Sequence, residues 1–152
     1  KAHFDKVLSY DELAKQEGGS VLCGGKEAKT DLGGWFLEPT VIEGLDETCR
    51  TNQEEIFGPV VTIQPFDTEE EVLGYANATK YGLASTVWTS DLTKAHRVAA
   101  QLHTGIVWIN CWLVRDLRTP FGGVKQSGVG REGGWEVLRF FTEPKSVCIP
   151  IF

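Results

Sequence analysis

The sequence predicts an α/β fold with parallel strand pairing, and three segments carry that prediction. The β-branched run Val60-Val61-Thr62-Ile63-Gln64-Pro65-Phe66 leads into Asp67-Thr68-Glu69-Glu70-Glu71, a helix start. Ala84 to Thr89 reads as a buried strand and leads into a helix capped by Ser90 or Asp91 that runs to about Leu102. Gly105 to Ile109 is again a buried strand. Strand, helix, strand, helix, strand is the order in which helical crossovers produce parallel neighbours.

Ahead of that repeat, Phe4, Val7, Leu8, Leu13 and Ala14 recur on a roughly helical period and Gly18-Gly19 stops the run, which predicts a first helix over Phe4–Glu17. Val21-Leu22-Cys23 before Gly24-Gly25 predicts a short strand. The charged, glycine-rich stretch to Gly34 predicts a surface loop, and the apolar residues from Trp35-Phe36-Leu37 to Val41-Ile42 predict further strand. Val60–Phe66 suits a pleated surface, and the acids after it supply an N-cap and first-turn charges that favour the positive end of a helix. Asn110–Gly134 is glycine-rich, aperiodic and too long for a mere connector, so it is expected to be a functional loop. A short helix around Trp135–Phe141 and a last strand over Lys145–Ile151 complete the order. That strand has apolar residues on both faces and would make a poor exposed edge, so it is expected to pair with something.

The chain has 152 residues, enough for one core or one lobe of something larger. With 41% hydrophobic and 24% charged residues it is expected to fold. Fifteen Lys and Arg against 21 Asp and Glu give a net charge of −6 with no basic run to neutralise phosphates, which argues against nucleic-acid binding. The longest apolar stretches, Gly105–Trp112 and Val147–Phe152, fall short of a membrane span. The opening Lys1-Ala2-His3-Phe4-Asp5 lacks both an apolar signal core and an initiator Met, so the chain is expected to start partway through a longer one. Cys23, Cys49, Cys111 and Cys148 show no metal-ligand spacing, and reduced, mostly buried thiols in a cytoplasmic protein with no metal site are expected.

Several motifs admit chemistry. Gly128-Val129-Gly130-Arg131-Glu132-Gly133 matches a dinucleotide fingerprint, but it lacks a preceding strand and a downstream acid, so a turn or tight packing is the better reading. Glu54-Glu55-Ile56-Phe57-Gly58-Pro59 could hold a carboxylate and a ring at a strand's entrance, where a carboxylate can accept both hydroxyls of a ribose; a solvated acidic pair with a core phenylalanine is the plainer reading of the spacing. His3, His96 and His103 stand singly and read as structural. Trp112-Leu113-Val114-Arg115-Asp116-Leu117-Arg118-Thr119-Pro120-Phe121 sets two guanidinium groups among aromatic rings, suited to bidentate capture of a carboxylate or, equally, to surface pairs with nearby acids.

Taken together, Glu54–Val60, Tyr81-Gly82-Leu83-Ala84, Gly105–Asn110 and Pro120–Glu132 resemble the NAD(P)-dependent aldehyde dehydrogenase superfamily, in order and over nearly the whole chain, but only over the last third or so of a family member. The resemblance implies an α/β aldehyde dehydrogenase-like fold, with residues 1–140 as the distal part of the catalytic domain and 141–152 as an oligomerisation strand of a dimer or tetramer. It also implies that the nucleophilic cysteine, the general-base glutamate and the nucleotide-binding domain lie outside this chain, which alone should be inert. In the complete family enzyme a thiolate attacks the aldehyde, hydride passes to the nicotinamide, and water activated by a carboxylate releases the acid. Glu55 would then bind the nicotinamide ribose hydroxyls, Phe57 would pack beside the nicotinamide, and Glu132 matches a position implicated in proton relay. The cofactor would be NAD, with NADP left open. The loop from Trp112 to Phe121 matches the substrate-pocket wall.

In that loop Arg115 and the run Arg115–Gly123 look like the branch oxidising 2-aminomuconic or 2-hydroxymuconic semialdehyde, small aldehydes with a distant carboxylate that a buried arginine would hold. Arg115 is the first candidate and Arg118 the second, with Trp112 and Phe121 as pocket wall. Two alternatives remain: a noncatalytic module that docks on full-length subunits, and a broad-specificity aldehyde dehydrogenase in which Arg115 merely makes a salt bridge.

Overall fold

A computed structural model describes residues 1–29, 31 and 33–152. The parts of the expected surface loop at positions 30 and 32 lie outside the described residues. The chain divides into two compact units, Lys1–Thr79 and Lys80–Phe152.

The first unit opens with α1 (Ala2–Gln16), followed by β1 (Ser20–Cys23), β2 (Thr40–Glu43), the short α2 (Arg50–Gln53), β3 (Val60–Ile63) and α3 (Glu69–Ala78). Its three strands form a sheet in the order β1-β2-β3, antiparallel between β1 and β2 and parallel between β2 and β3. A small core holds it together: Ala14 of α1 packs with Ile42 and Leu45, and Val21, Cys49 and Val60 close around them. Of the expected strand from Trp35 to Val41, the residues before Thr40 contribute only an isolated bridge, Glu27 to Leu37. α3 starts where its acids predict, with Thr68 accepting from the Glu71 amide while the Glu71 side chain reaches back, a complete capping box.

α2 was not legible in the sequence, because its cap is tertiary. Glu17, just past α1, accepts from the amides of Arg50 (2.8 Å) and Thr51 (3.1 Å) and from the Thr51 hydroxyl (2.6 Å). Partial burial pushes the Glu17 carboxyl up, but these hydrogen bonds outweigh it and leave the group below its ordinary value.

The second unit contains β4 (Ala84–Val87), α4 (Leu92–Gln101), β5 (Ile106–Ile109), a 3₁₀ turn (Lys125–Ser127) and α5 (Gly134–Phe141). β4 and β5 pair in parallel, Ala84 opposite Ile106 and Val87 opposite Ile109, as a strand-helix-strand order requires. Asp91, one of the two expected caps, accepts from the Lys94 amide at 3.0 Å. Beyond the strands, Asn110 takes a left-handed backbone (φ 53°), and its side-chain amide pairs with the Thr89 backbone in both directions, 2.8 and 2.7 Å.

Two expectations are corrected. Lys145–Ile151 forms no ladder with any described residue of this chain, since an extended segment becomes a strand only against another strand's N–H and C=O groups. Nor are the cysteines mostly buried: Cys23, on an edge strand, and Cys148, in the terminal segment, are exposed, and Cys49 and Cys111 are half-buried. All four are free thiols.

Much apolar surface stays uncovered, including Trp135, Phe141, Val147, Ile149 and Ile151. Surface of that extent marks contact sites rather than finished exterior. No helix among the described residues is long and apolar enough to cross a membrane.

Candidate functional site

The sequence-predicted residues fall into two groups, Glu55 and Phe57 in the first unit and Trp112, Arg115, Arg118, Phe121 and Glu132 in the second.

In the first group, the segment Glu54–Gly58 is held by one face of α1. His3, Lys6, Val7 and Tyr10 recur at i, i+3, i+4 and i+7, the spacing that aligns side chains along a helix. His3 donates from Nε2 to the Phe57 carbonyl (2.7 Å), so that nitrogen carries the proton. The Lys6 ammonium donates to the Glu55 carbonyl (3.0 Å), and the Tyr10 hydroxyl to Glu54 Oε2 (2.7 Å). Gly58 lies so close to Val7 that a Cβ there would meet its side chain at 2.5 Å.

With the backbone held on that face, Phe57 adopts φ 58°, uncommon for a residue with a Cβ, and presents its ring outward, 73% exposed. The two acids divide. Glu54 is consumed structurally by Tyr10 and by a fork from Arg50 Nε (2.8 Å) and Nη2 (3.0 Å). Glu55 is exposed, and its carboxylate has no hydrogen-bond partner among the described residues. An exposed carboxylate and, two residues on, an exposed ring are groups a nucleoside can use: two acceptor oxygens for a vicinal diol and a flat apolar surface for a base.

In the second group, three of the resembling motifs meet at Gly82. Its carbonyl accepts from the Gly105 amide (3.1 Å) and the Val124 amide (2.9 Å), and its own amide donates to Ser127 Oγ (2.9 Å). The glycine-rich loop is thereby pinned to the entrances of β4 and β5. Its ends are joined by an antiparallel bridge in which Phe121 and Glu132 exchange amide-to-carbonyl bonds of 2.8 Å each. The Gly-x-Gly-x-x-Gly stretch is therefore a turn with tight packing; a 3₁₀ turn and not a strand precedes it.

Arg115 lies against that bridge. Its guanidinium sits over the Phe121 ring, 4.1 Å from the centroid, and its Nη2 donates to Glu132 Oε1 at 2.6 Å. Its side chain is 29% exposed. Upstream, buried Trp108 anchors the loop by donating from its indole to the Val114 carbonyl (2.7 Å), and Trp112 meets its ring edge-to-face at 4.9 Å. Arg118 behaves differently: its Nε bonds both Asp116 oxygens (2.9 and 3.1 Å), and its side chain is 89% exposed. That hydrogen bonding holds the Asp116 carboxyl below its ordinary value and raises the Arg118 guanidinium. Of the two arginines, Arg118 fits the surface-pair reading and Arg115 the half-dry setting.

Sequence reasoning missed His3, Lys6 and Tyr10 as holders of the Glu55 segment. The signal was there, a polar i, i+3, i+7 stripe on a helix, but an apolar stripe was the pattern sought. No group of three His, Cys, Asp or Glu among the described residues could hold a metal ion.

The chain belongs to the aldehyde dehydrogenase family, which it matches over residues 1–147. Among its relatives, it is 53% identical to a 2-aminomuconic 6-semialdehyde dehydrogenase of a Pseudomonas species, aligned over 98% of this chain and 31% of the relative. It is 51% identical to a 2-hydroxymuconic semialdehyde dehydrogenase of Pseudomonas sp. strain CF600, over 98% of this chain and 31% of that one. An aldehyde dehydrogenase from Bacillus cereus, solved as an NAD+ complex, superposes with a TM-score of 0.93 at 45% identity, covering 100% of this chain and 30% of that one. Betaine aldehyde dehydrogenase from Staphylococcus aureus, also an NAD+ complex, gives 0.89 at 46% identity over 93% of this chain and 28% of its own. The chain thus spans about a third of the length of the relatives it matches.

Proposed function

We propose that this chain is the cofactor-edge and substrate-wall segment of an NAD-dependent enzyme that oxidises a carboxylate-bearing semialdehyde, of the 2-aminomuconic or 2-hydroxymuconic type, to the acid. One observation carries the substrate reading: Arg115, half-dry against Phe121, spends a single Nη2 hydrogen bond on Glu132. A guanidinium has five N–H donors, so the rest can take a carboxylate in a two-bonded fork. The names of the muconic semialdehyde relatives agree with this choice.

In this reading Arg115 holds the substrate's remote carboxylate, and Trp112 and Phe121 wall the pocket. Glu55 accepts the nicotinamide ribose hydroxyls, and Phe57 shields the nicotinamide edge. NAD supplies the hydride acceptor. The thiol nucleophile and base come from sequence beyond this chain, and the terminal segment extends a neighbouring subunit's sheet in a dimer or tetramer. The Arg115–Glu132 ion pair favours one competing reading, a broad-specificity enzyme in which the arginine is already satisfied.

Initial rates of NADH formation by the full-length enzyme decide between them. A muconic semialdehyde should be preferred in kcat/KM over a neutral aldehyde of equal length by on the order of a hundredfold, because a site built around a charged donor rejects a substrate that leaves it unpaired. Equal kcat/KM values would favour the broad-specificity reading.

A further inference from the structure

We propose that Glu132 is a positioning residue for Arg115, fixing its guanidinium over Phe121 and leaving its other N–H groups unclaimed for an incoming carboxylate. This rests on the carboxylate-holding role given to Arg115 above.

Arg115 sits in a stretch with neither helix nor strand, where a long side chain would sample many rotamers and lose that freedom on binding. Three contacts remove it in advance. The Phe121 ring supplies a face 4.1 Å away, Glu132 Oε1 takes one Nη2 proton at 2.6 Å, and the reciprocal backbone bonds between Phe121 and Glu132 fix those two surfaces to each other. The guanidinium is held on two sides by one rigid unit.

The Glu132 side chain is 59% exposed, and a pair so open to water adds little to fold stability. Its effect is therefore directional. A single-bonded glutamate is also a weaker partner than a carboxylate bonded in a fork, so Glu132 can hold the arginine without shutting out the substrate.

The test is a double-mutant cycle in the full-length enzyme, read as the ratio of kcat/KM for a muconic semialdehyde to that for a neutral aldehyde of equal length. Any part Glu132 plays in chemistry common to both substrates cancels in this ratio. Glu132→Ala should lower the ratio about tenfold, through a raised KM for the carboxylated substrate. Glu132→Gln should recover most of it, because the amide oxygen still accepts from Nη2. In an Arg115→Ala background, Glu132→Ala should change the ratio no further.

If Arg115→Ala lowers the ratio and neither Glu132 variant does, the positioning role is overturned and the carboxylate reading stands. A fall in kcat on both substrates with the ratio unmoved would assign Glu132 to the shared chemistry alone and overturn the proposal. An unmoved ratio in Arg115→Ala would overturn the carboxylate reading, and the positioning role with it.

Discussion

The Cβ that Gly105 lacks would stand 1.6 Å from the carbonyl oxygen of Gly122. No side chain fits there, and the contact brings the start of β5 against the loop that carries Phe121 and Glu132. Gly105→Ala must push the two backbones apart, breaking the shared bonds at the Gly82 carbonyl. A loss of about 3 kcal/mol is expected, at the upper end of overpacking costs. Thermal denaturation of the full-length enzyme measures it, and an unchanged midpoint would contradict the close approach of Gly105 to Gly122.

Glu55→Gln should weaken NAD binding about tenfold, since hydrogen bonds to a charged acceptor are worth about 1.5–3 kcal/mol and the amide keeps only one accepting oxygen. Quenching of protein fluorescence by NAD reads the dissociation constant directly. Glu54→Gln is the contrasting variant: its carboxylate serves Tyr10 and Arg50, so its loss should lower the thermal midpoint before it touches cofactor affinity.

The Glu17 cap on α2 predicts a pH dependence. The folded protein holds this carboxyl below its ordinary value of 4.5, so the cap stabilises the protein above that value and the contribution is lost as pH falls through the lower, folded value. Glu17→Gln should flatten the fall in thermal midpoint between neutral and acid pH. At neutral pH Glu17→Ala should cost about 1 kcal/mol, the usual worth of a side-chain cap. A wild-type and variant pair with parallel pH profiles would contradict the assignment.

Arg118→Ala should shift the preference for carboxylated over neutral substrate far less than Arg115→Ala. Arg118 is nearly fully exposed and closes a local turn with Asp116, whereas Arg115 is braced against a ring. Steady-state kinetics on both substrate types rank the two, and a larger effect from Arg118 would reverse the assignment.

What the sequence made legible follows from how local the cause is. α3 and α4 were readable because Thr68 and Asp91 cap them from within a turn, and β5 because its apolar run lies between Gly105 and Asn110. α2 was not, since its cap comes from Glu17, 33 positions before Arg50. The strand expected at Lys145–Ile151 depends on pairing, and pairing is not a property of one segment. At the site, Arg115 and Glu132 were each visible as residue types, but their meeting depends on the Phe121–Glu132 bridge, a contact that no spacing rule encodes. Spacing alone left Glu54 and Glu55 an undivided pair, with Glu55 singled out by the resemblance, and the bonds of Tyr10 and Arg50 to Glu54 are what separate them.

Whether Arg115 reads a substrate carboxylate is decided by the kcat/KM ratio between a muconic semialdehyde and a neutral aldehyde of equal length, measured for wild-type and Arg115→Ala full-length enzyme. The variant should lose most of the preference, on the order of a hundredfold, through KM for the carboxylated substrate while the neutral one changes little. Equal losses on both substrates would show that Arg115 serves the fold or the shared chemistry and does not select the substrate.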